Sequence, residues 1–461
     1  MNHTLKRVLF DIITAATSWI CFFYYRKQYI EDVTFEISQT FYIGILGVTL
    51  FWLSLYFFWG NYIDVRRVSR LDELYKTLYQ SIIGCLIIFF CLIIDDIKYF
   101  QDYRLYYLSI IVLTTIHFTL TFTARYFLTR NMVNAIRIGQ IEFNTIIIGD
   151  TKGIKKHANQ LMSNNNGNKF IGYINYNNSN ININTNLPPL GNIEQLEEIL
   201  QKYNIEEAIL AIENDDMHKI EQIVYLLTYH DIVTKTTPNL FDLLSGKVKM
   251  NSLLDIPLIE INQINMPFFQ KIIKRMIDIT ASLIALIILT PFLLITSLII
   301  KINSKGPILY YQERIGLKNK IFNIIKFRSM HVNAEKSTPL LSSNNDTRIT
   351  RWGKIMRKYR IDEIPQFINV LKGEMSIVGP RPERDFFAKK ILIKAPYYKL
   401  TQKVKPGITS WGMVKFGYAE NVEEMIERLK YDIIYIENLS LLNDFKVLIF
   451  TIMIVLQGRG K

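Results

Sequence analysis

Cysteine is scarce in this chain, and the three present, Cys21, Cys85 and Cys91, all fall inside apolar runs. Their spacing matches neither a zinc cluster nor a disulfide framework, so the thiols are expected in a core or against lipid. A cleavable secretion signal is also missing. The first apolar run lacks a small-x-small cleavage site and is followed by Tyr24, Tyr25, Arg26 and Lys27. A complete dinucleotide fingerprint is absent too: Gly149 and Gly153 do not make G-x-G-x-x-G, and no acidic residue follows a second strand. What the chain has in excess is apolar residues, 49% of 461, and positive charge, net +13. Its mean hydropathy is +0.14 and its pI about 9.3. The length allows two to four domains. A basic balance suits anionic lipid and phosphate-bearing substrates, and equally nucleic acid, so charge alone selects no partner.

The apolar excess is concentrated. Four stretches, at 8–25, 41–60, 78–94 and 106–128, each approach the roughly 20 residues that cross a hydrocarbon core of about 30 Å. Lys6 and Arg7 precede the first, Arg66, Arg67 and Arg70 separate the second from the third, and Arg125, Arg130 and Arg137 follow the fourth. The other two loops carry Glu31, Asp32 and Glu36, then Asp95, Asp96 and Asp102. Basic residues stay cytoplasmic, so residues 1–137 are expected to form a four-span transmembrane domain with both ends inside the cell. Tyr24, Tyr25, Trp52 and Trp59 suit interfacial belts. A buried all-helical core is the alternative.

Residues 138–265 read as a soluble α/β domain of Rossmann type. Asn144-Thr-Ile-Ile-Ile-Gly149 has the pattern of a buried strand and runs into Asp150-Thr-Lys-Gly153 and a helix. A strand at Phe170–Ile174, an Asn-rich loop, Pro188-Pro189, a helix near 192–203 and a strand at Glu207–Ile212 follow. The incomplete glycine pattern favours an assembly or regulatory role over cofactor binding.

Residues 271–301 form a further apolar segment, with Lys271, Lys274 and Arg275 before it and Lys301 and Lys305 after. Thr290-Pro291 interrupts it. Proline removes a helix hydrogen bond and bends the axis, which permits a re-entrant helix that enters and leaves by one face. Either hydroxyl residue before the proline can bond to the carbonyl it frees. Asp278, one turn from Lys274 and Arg275, is expected to pair within the helix.

Beyond residue 300 the chain is dense in Arg, Lys, Gly and Pro. Asp362 and Glu363, followed by Pro365 and the apolar-periodic Phe367-Ile-Asn-Val-Leu371, mark a helix N-terminus, where negative charge is favoured. The basic residues Lys326, Arg328, Arg357, Lys358, Arg360 and Arg381 suit a polyphosphate substrate. A carboxylate pair is also a natural holder of Mg²⁺ together with phosphate oxygens. On local sequence alone, a helix cap at Asp362 and a basic face against anionic lipid remain open. Asn421–Ile436 reads as a helix with Arg428 and Asp432 as a structural pair. Phe445–Leu456 is apolar but too short to span, so it is expected packed or interfacial. Aromatics between Pro396 and Trp411 are expected in the core, with stacking on uracil as the alternative.

From about residue 270 onward the chain resembles the bacterial sugar transferase family, the single-helix polyprenyl-phosphate phosphoglycosyl transferases. The resemblance rests on the basic-flanked helix with Pro291 and on five ordered segments. These are Gly306-Pro-Ile-Leu-Tyr-Tyr-Gln312, Lys326-Phe-Arg-Ser-Met330, Asp362-Glu-Ile-Pro-Gln366, Asn369-Val-Leu-Lys-Gly373 and Met375-Ser-Ile-Val-Gly-Pro-Arg-Pro382. The four-span domain and degenerate Rossmann-like domain also resemble the longer members that start exopolysaccharide, capsule or O-antigen synthesis. The resemblance implies a mainly α catalytic domain over 266–461 with a re-entrant membrane helix at 271–301 bent at Pro291. It implies transfer of a hexose-1-phosphate, from UDP-glucose first or UDP-galactose second, to undecaprenyl phosphate with release of UMP. Asp362 would be the nucleophile, and Glu363 with Asp362 would hold Mg²⁺. Lys326, Arg328, Arg357, Arg360 and Arg381 would grip phosphate. The implied setting is the bacterial cytoplasmic (inner) membrane, multi-pass, with the catalytic domain on the cytoplasmic face. Membrane lipids are implied partners, a homodimer is possible in principle through the middle domain, and nucleic acid is not expected. Two other classes compete. A nucleotide-sugar dehydratase would need a complete glycine fingerprint and Tyr-x-x-x-Lys within 143–265, and neither is there. A non-catalytic scaffold of polysaccharide export would be indifferent to Asp362.

Overall fold

The computed structural model describes residues 3–30, 32–37, 39–93, 103–163, 167–176, 187–212, 217–236, 259–260, 266–332, 334 and 346–457. The acidic loop positions Glu31, Asp95, Asp96 and Asp102, the Asn-rich loop and the last four residues of the tail lie outside these. The chain divides into two compact units.

The first unit holds four long helices, α1 (His3–Tyr25), α2 (Gln39–Phe58), α3 (Arg70–Ile88) and α4 (Tyr103–Arg137). With a further helix at Phe268–Asn303, they make five helices among the described residues that are long and apolar enough to cross a membrane, which marks a membrane protein. Both α3 and α4 reach further than the apolar runs predict. Arg70 opens α3, and Arg125, Arg130 and Arg137 ride on α4 rather than following it. The added first turns of α3 bury Glu73 and Thr77. Arg125 donates to Asp11 at 2.9 Å and lies 3.6 Å from Glu73, which also accepts from Arg7 at 2.6 Å. Two cations and two anions thus compensate one another out of water, as buried charge requires. Trp52 stacks on His117 at 3.5 Å, and Cys85 packs in the same core.

The second unit begins with a six-stranded sheet. Its strands are β1 (Phe143–Gly149), β2 (Asn168–Asn175), β3 (Pro189–Asn192), β4 (Glu207–Ala211), β5 (Val233–Thr236) and β6 (Ile259–Glu260). The order is β3-β2-β1-β4-β5-β6, parallel except for β6. Helices α5 (Thr151–Ser163), α6 (Leu196–Lys202) and α7 (Met217–Tyr229) alternate with the strands. Continuous Ile-rich strands fit a sheet covered on both faces. Gly149 and Gly153 allow close packing: a Cβ on Gly153 would lie 1.9 Å from the Ala211 carbonyl oxygen. The Asp150 carboxylate accepts from the Gly153 N–H at 2.8 Å, so this helix N-terminus carries its own anion.

Next comes α8 (Phe268–Asn303), which runs through Pro291 as one helix. Thr290 Oγ1 donates to the Leu286 carbonyl at 2.6 Å, whereas proline at 291 deprives Ile287. The hydroxyl therefore does not serve the freed carbonyl as expected. The expected intrahelical pair of Asp278 is also absent. Asp278 accepts from Ser376 Oγ at 2.8 Å and from the Ile377 N–H at 3.0 Å. Lys274 bonds to Asp444 at 2.6 Å and to the Val378 carbonyl at 2.9 Å, and Arg275 donates to the carbonyls of Val370 and Leu371. Burial explains the exchange: each charge gains fixed partners in a dry contact, where a solvated i,i+4 pair is worth only about 0.2–0.5 kcal/mol.

The remaining elements form the domain around the site. A hairpin of β7 (Leu309–Ile315) and β8 (Ile321–Phe327) precedes α9 (Arg351–Lys358), a 3₁₀ turn at Ile361–Gln366 and α10 (Phe367–Lys372). Then follow β9 (Ser376–Val378), α11 (Asp385–Lys394), a 3₁₀ segment at Pro396–Lys403, β10 (Gly407–Thr409), α12 (Trp411–Lys415), α13 (Val422–Glu437) and α14 (Leu441–Leu456). Segment Pro396–Lys403 joins this domain to the sheet, with Lys399 on Glu197 at 2.9 Å, Lys403 on Asp231 at 2.6 Å and Tyr397 beside Tyr225. The expected Arg428–Asp432 pair is replaced. Arg428 bonds to Glu383, and Asp432 accepts from the Gly412 N–H at 2.8 Å.

Candidate active site

Three local devices bring the acidic pair to the floor of a cleft. Asn369, fully buried, accepts from the Ile325 N–H at 3.0 Å and donates to the Asn323 carbonyl at 2.8 Å. A side-chain amide thereby takes the place of a neighbouring strand and fastens α10 to the edge of β8. Arg360 turns the chain ahead of Asp362 in the left-handed region, at φ 55°, a conformation that non-glycine residues adopt at a cost. Finally, Gly379 lies so close to Lys405 and Gly407 that a Cβ would sit 2.3 Å from the Lys405 carbonyl oxygen. That contact seats Pro380-Arg381-Pro382.

The resulting cleft has a volume of about 500 Å³ and is lined by Lys326, Arg328, Arg357, Asp362, Glu363 and Arg381 among others. Six of the residues singled out from sequence are thus brought together. Arg360 stands just behind the wall, 3.8 Å from Glu363, and Pro291 lies within α8. The basic residues divide into two kinds. Lys326, Arg381 and Arg360 surround Glu363, at 3.0, 3.4 and 3.8 Å. Arg328 instead donates to the Ser304 carbonyl at 2.8 Å, Ser304 Oγ at 2.7 Å and the Lys305 carbonyl at 3.1 Å, closing the C-terminal end of α8. Arg357 Nε donates to Ser329 Oγ at 2.9 Å.

Electrostatics separate the two carboxylates. Burial would raise Glu363, but Lys326, Arg381 and Arg360 outweigh it and hold that carboxyl far below the ordinary range. Asp362 moves the other way. Burial first, and then the neighbouring Glu363 charge, push its carboxyl up against the pull of Lys326, Arg357 and Arg381. Burial also draws the Lys326 ammonium downward, opposed by Glu363. The pair therefore contains one permanent anion and one carboxylate of raised basicity, the split expected when two acids take different roles.

Magnesium can be judged by the donors present. Glu363 Oε2 is buried and has no hydrogen-bond partner, and Asp362 shares the cleft. Such a set fits an ion that takes one or two protein carboxylates and completes its shell with phosphate oxygens and water. Among the described residues no group of three or more His, Cys, Asp or Glu side chains could hold a metal alone.

Several lining residues were not among the site residues read from the sequence: Arg314, Glu383, Arg384, Tyr418 and Arg428, the last expected only as a structural partner of Asp432. Arg314 donates to the Pro382 carbonyl at 3.0 Å and Glu383 joins Arg428 to it, with burial drawing the Arg314 guanidinium down to about 10. Arg314 and Glu383 stand just beyond the quoted segments that end at Gln312 and Pro382, whereas Tyr418 follows only a glycine. The aromatics of Pro396–Trp411 do not line the cleft: Tyr398 is buried, and Trp411 packs on Phe450.

The chain thus combines helices long and apolar enough to cross a membrane with a buried acidic pair whose Glu363 is surrounded by Lys326, Arg381 and Arg360. Residues 269–458 match the bacterial sugar transferase family. The chain is 43% identical over 188 residues to a UDP-N-acetylgalactosamine-undecaprenyl-phosphate N-acetylgalactosaminephosphotransferase of Aeromonas hydrophila, covering 41% of this chain and 44% of that one. It is 34% identical over 269 residues, 57% of each chain, to a UDP-glucose:undecaprenyl-phosphate glucose-1-phosphate transferase of Klebsiella pneumoniae. It is 37% identical over 196 residues to an exopolysaccharide production protein of Rhizobium leguminosarum bv. phaseoli, covering 41% of this chain and 98% of that one. This chain belongs to the bacterial sugar transferase family. The match spans about half the length of the first two relatives.

Proposed function

We propose that this protein transfers a hexose-1-phosphate from a UDP-sugar to undecaprenyl phosphate and releases UMP, the first membrane step of exopolysaccharide, capsule or O-antigen synthesis. The observation that carries the reading is the buried acidic pair in the cleft, with Lys326, Arg381 and Arg360 at 3.0, 3.4 and 3.8 Å from Glu363 and Asp362 beside it. In the first step an Asp362 oxygen attacks the sugar-bearing phosphorus, the bond from that phosphorus to the bridging oxygen breaks, and UMP leaves with the oxygen. In the second a phosphate oxygen of undecaprenyl phosphate attacks the same phosphorus and frees the Asp362 carboxylate. Dividing one displacement into two is what covalent catalysis achieves. Lys326, Arg357 and Arg381 would hold phosphate oxygens. Asp362 and Glu363 would hold Mg²⁺, which when bound supplies positive charge to the diphosphate.

Relatives named for glucose and for N-acetylgalactosamine both match, and UDP-glucose is the first expected donor, with UDP-galactose second. The test is UMP release from a panel of UDP-glucose, UDP-galactose and their N-acetylated forms, with undecaprenyl phosphate in membranes, with and without chelator. Release from one donor that stops on chelation supports the reading. No release from any donor supports a non-catalytic scaffold of polysaccharide export.

For α8 we propose a re-entrant course in the bacterial inner membrane, with the site on the cytoplasmic face. Four crossings return the chain to the cytoplasm, and a fifth would carry the site away from UDP-sugar. In a cysteine-free background, single cysteines at 271 and 305 are expected to react from the cytoplasmic side alike; opposite sidedness would sink the proposal. The six-stranded domain is proposed to be Rossmann-like, free of cofactor and the seat of a homodimer. A monomeric mass in nanodiscs would exclude that dimer.

A further inference from the structure

We propose that Tyr418 is a positioning residue for the transfer: its ring holds Arg360 and Arg381 against Glu363. This rests on the reading above and adds a part that no motif in the sequence marks. The ring lines the cleft, with the Arg360 guanidinium carbon 5.4 Å and that of Arg381 5.5 Å from its centroid. Both arginines also face Glu363, at 3.8 and 3.4 Å. One ring and one carboxylate therefore bracket two cations.

The bracket answers a physical problem. Lys326, Arg360 and Arg381 converge on a single carboxylate and repel one another. Arg360 leaves a strained left-handed backbone, and its buried Nε has no hydrogen-bond partner. A second carboxylate could hold the arginines, but it would repel a diphosphate and push Asp362 higher still. An aromatic face attracts guanidinium groups without adding an anion. The Tyr418 hydroxyl, pushed up to about 12 by burial and then by Glu363, stays protonated through the neutral range.

Local sequence aims the ring. Ser410 caps α12 by accepting from the Met413 N–H at 3.0 Å. Gly417, at φ +93°, then reverses the chain in a conformation open to glycine, and Tyr418 follows.

The test compares steady-state UMP release by wild type, Tyr418→Phe, Tyr418→Leu, Arg360→Gln and the double variant Arg360→Gln with Tyr418→Leu. Tyr418→Leu is expected to lower kcat about 10- to 100-fold, a scale between two exposed and two fully desolvated cation–π contacts, with KM for the donor moving less than about threefold. Tyr418→Phe keeps the face and is expected to stay within about threefold of wild type, which a role for the hydroxyl would not allow. Losses in the double variant should be less than additive. Full additivity, unchanged kcat in Tyr418→Leu, or a Phe variant as poor as Leu would each overturn the assignment. If Tyr418→Leu melts early, Tyr418→Met takes its place under the same criteria. Absence of UMP release from wild type would instead remove the transfer reading, and this inference with it.

Discussion

Asp362→Asn is expected to abolish UMP release, by about 10⁴-fold or more, the scale on which loss of a nucleophile is felt. The substitution is nearly isosteric, so packing around the 3₁₀ turn at Ile361–Gln366 should survive. It also removes one of two like charges in a buried pair, so the variant should fold at least as well as wild type. That combination makes the outcome specific: a stable protein with no chemistry. With a donor labelled in the sugar phosphate, wild type quenched before acceptor is added should carry label on the chain. The Asn variant should carry none. Label retained on the variant would remove Asp362 as nucleophile, and undiminished UMP release would favour a different attacking group in the cleft.

The second large effect is expected at Glu363. Glu363→Gln leaves Lys326, Arg381 and Arg360 without the anion they surround, so kcat should fall by about 10²-fold or more as phosphate-gripping groups lose their alignment. The pH dependence should move in a defined direction. Asp362 works as a nucleophile only when ionised, and its carboxyl is raised by burial and then by Glu363. In wild type the acid limb of kcat/KM is therefore expected above the ordinary Asp value of about 3.9. Removing the Glu363 charge lowers Asp362, so the limb should shift to lower pH even as the plateau drops. Stability follows the opposite sense. The depressed Glu363 contributes stability above the ordinary Glu value of about 4.3, lost as pH falls through its folded value, and Glu363→Gln should remove that dependence. A limb that moves upward, or does not move, would count against the coupling between the two carboxylates.

Much of this was legible in the sequence because it is local. Apolar runs marked the long helices, although α3 and α4 extend beyond them. Continuous Ile stretches marked the strands, and the helix read at Asn421–Ile436 matches α13. The motifs also gathered Lys326, Arg357, Asp362, Glu363 and Arg381 as one candidate set. Charge partners were harder. Helical spacing brought Asp278 near Lys274 and Arg428 near Asp432, yet each found a partner 20 to 170 residues away. Spacing shows that two side chains can meet, not that a drier and better-oriented partner is absent. For the same reason Arg328 gave its terminal nitrogens to the end of α8.

The sequence by itself determined the family, the acidic pair and the basic residues that accompany it, since these are carried by ordered motifs and local pattern. Only the tertiary structure decided which carboxylate of the pair is pinned and which is raised, and that Tyr418 stands over two of the arginines. Those outcomes depend on burial and on charges converging from β8, the Ile361–Gln366 turn, the Pro380-Arg381-Pro382 segment and the turn after α12. Electrostatic strength is set by distance and desolvation in space, and neither quantity is a property of neighbours along the chain.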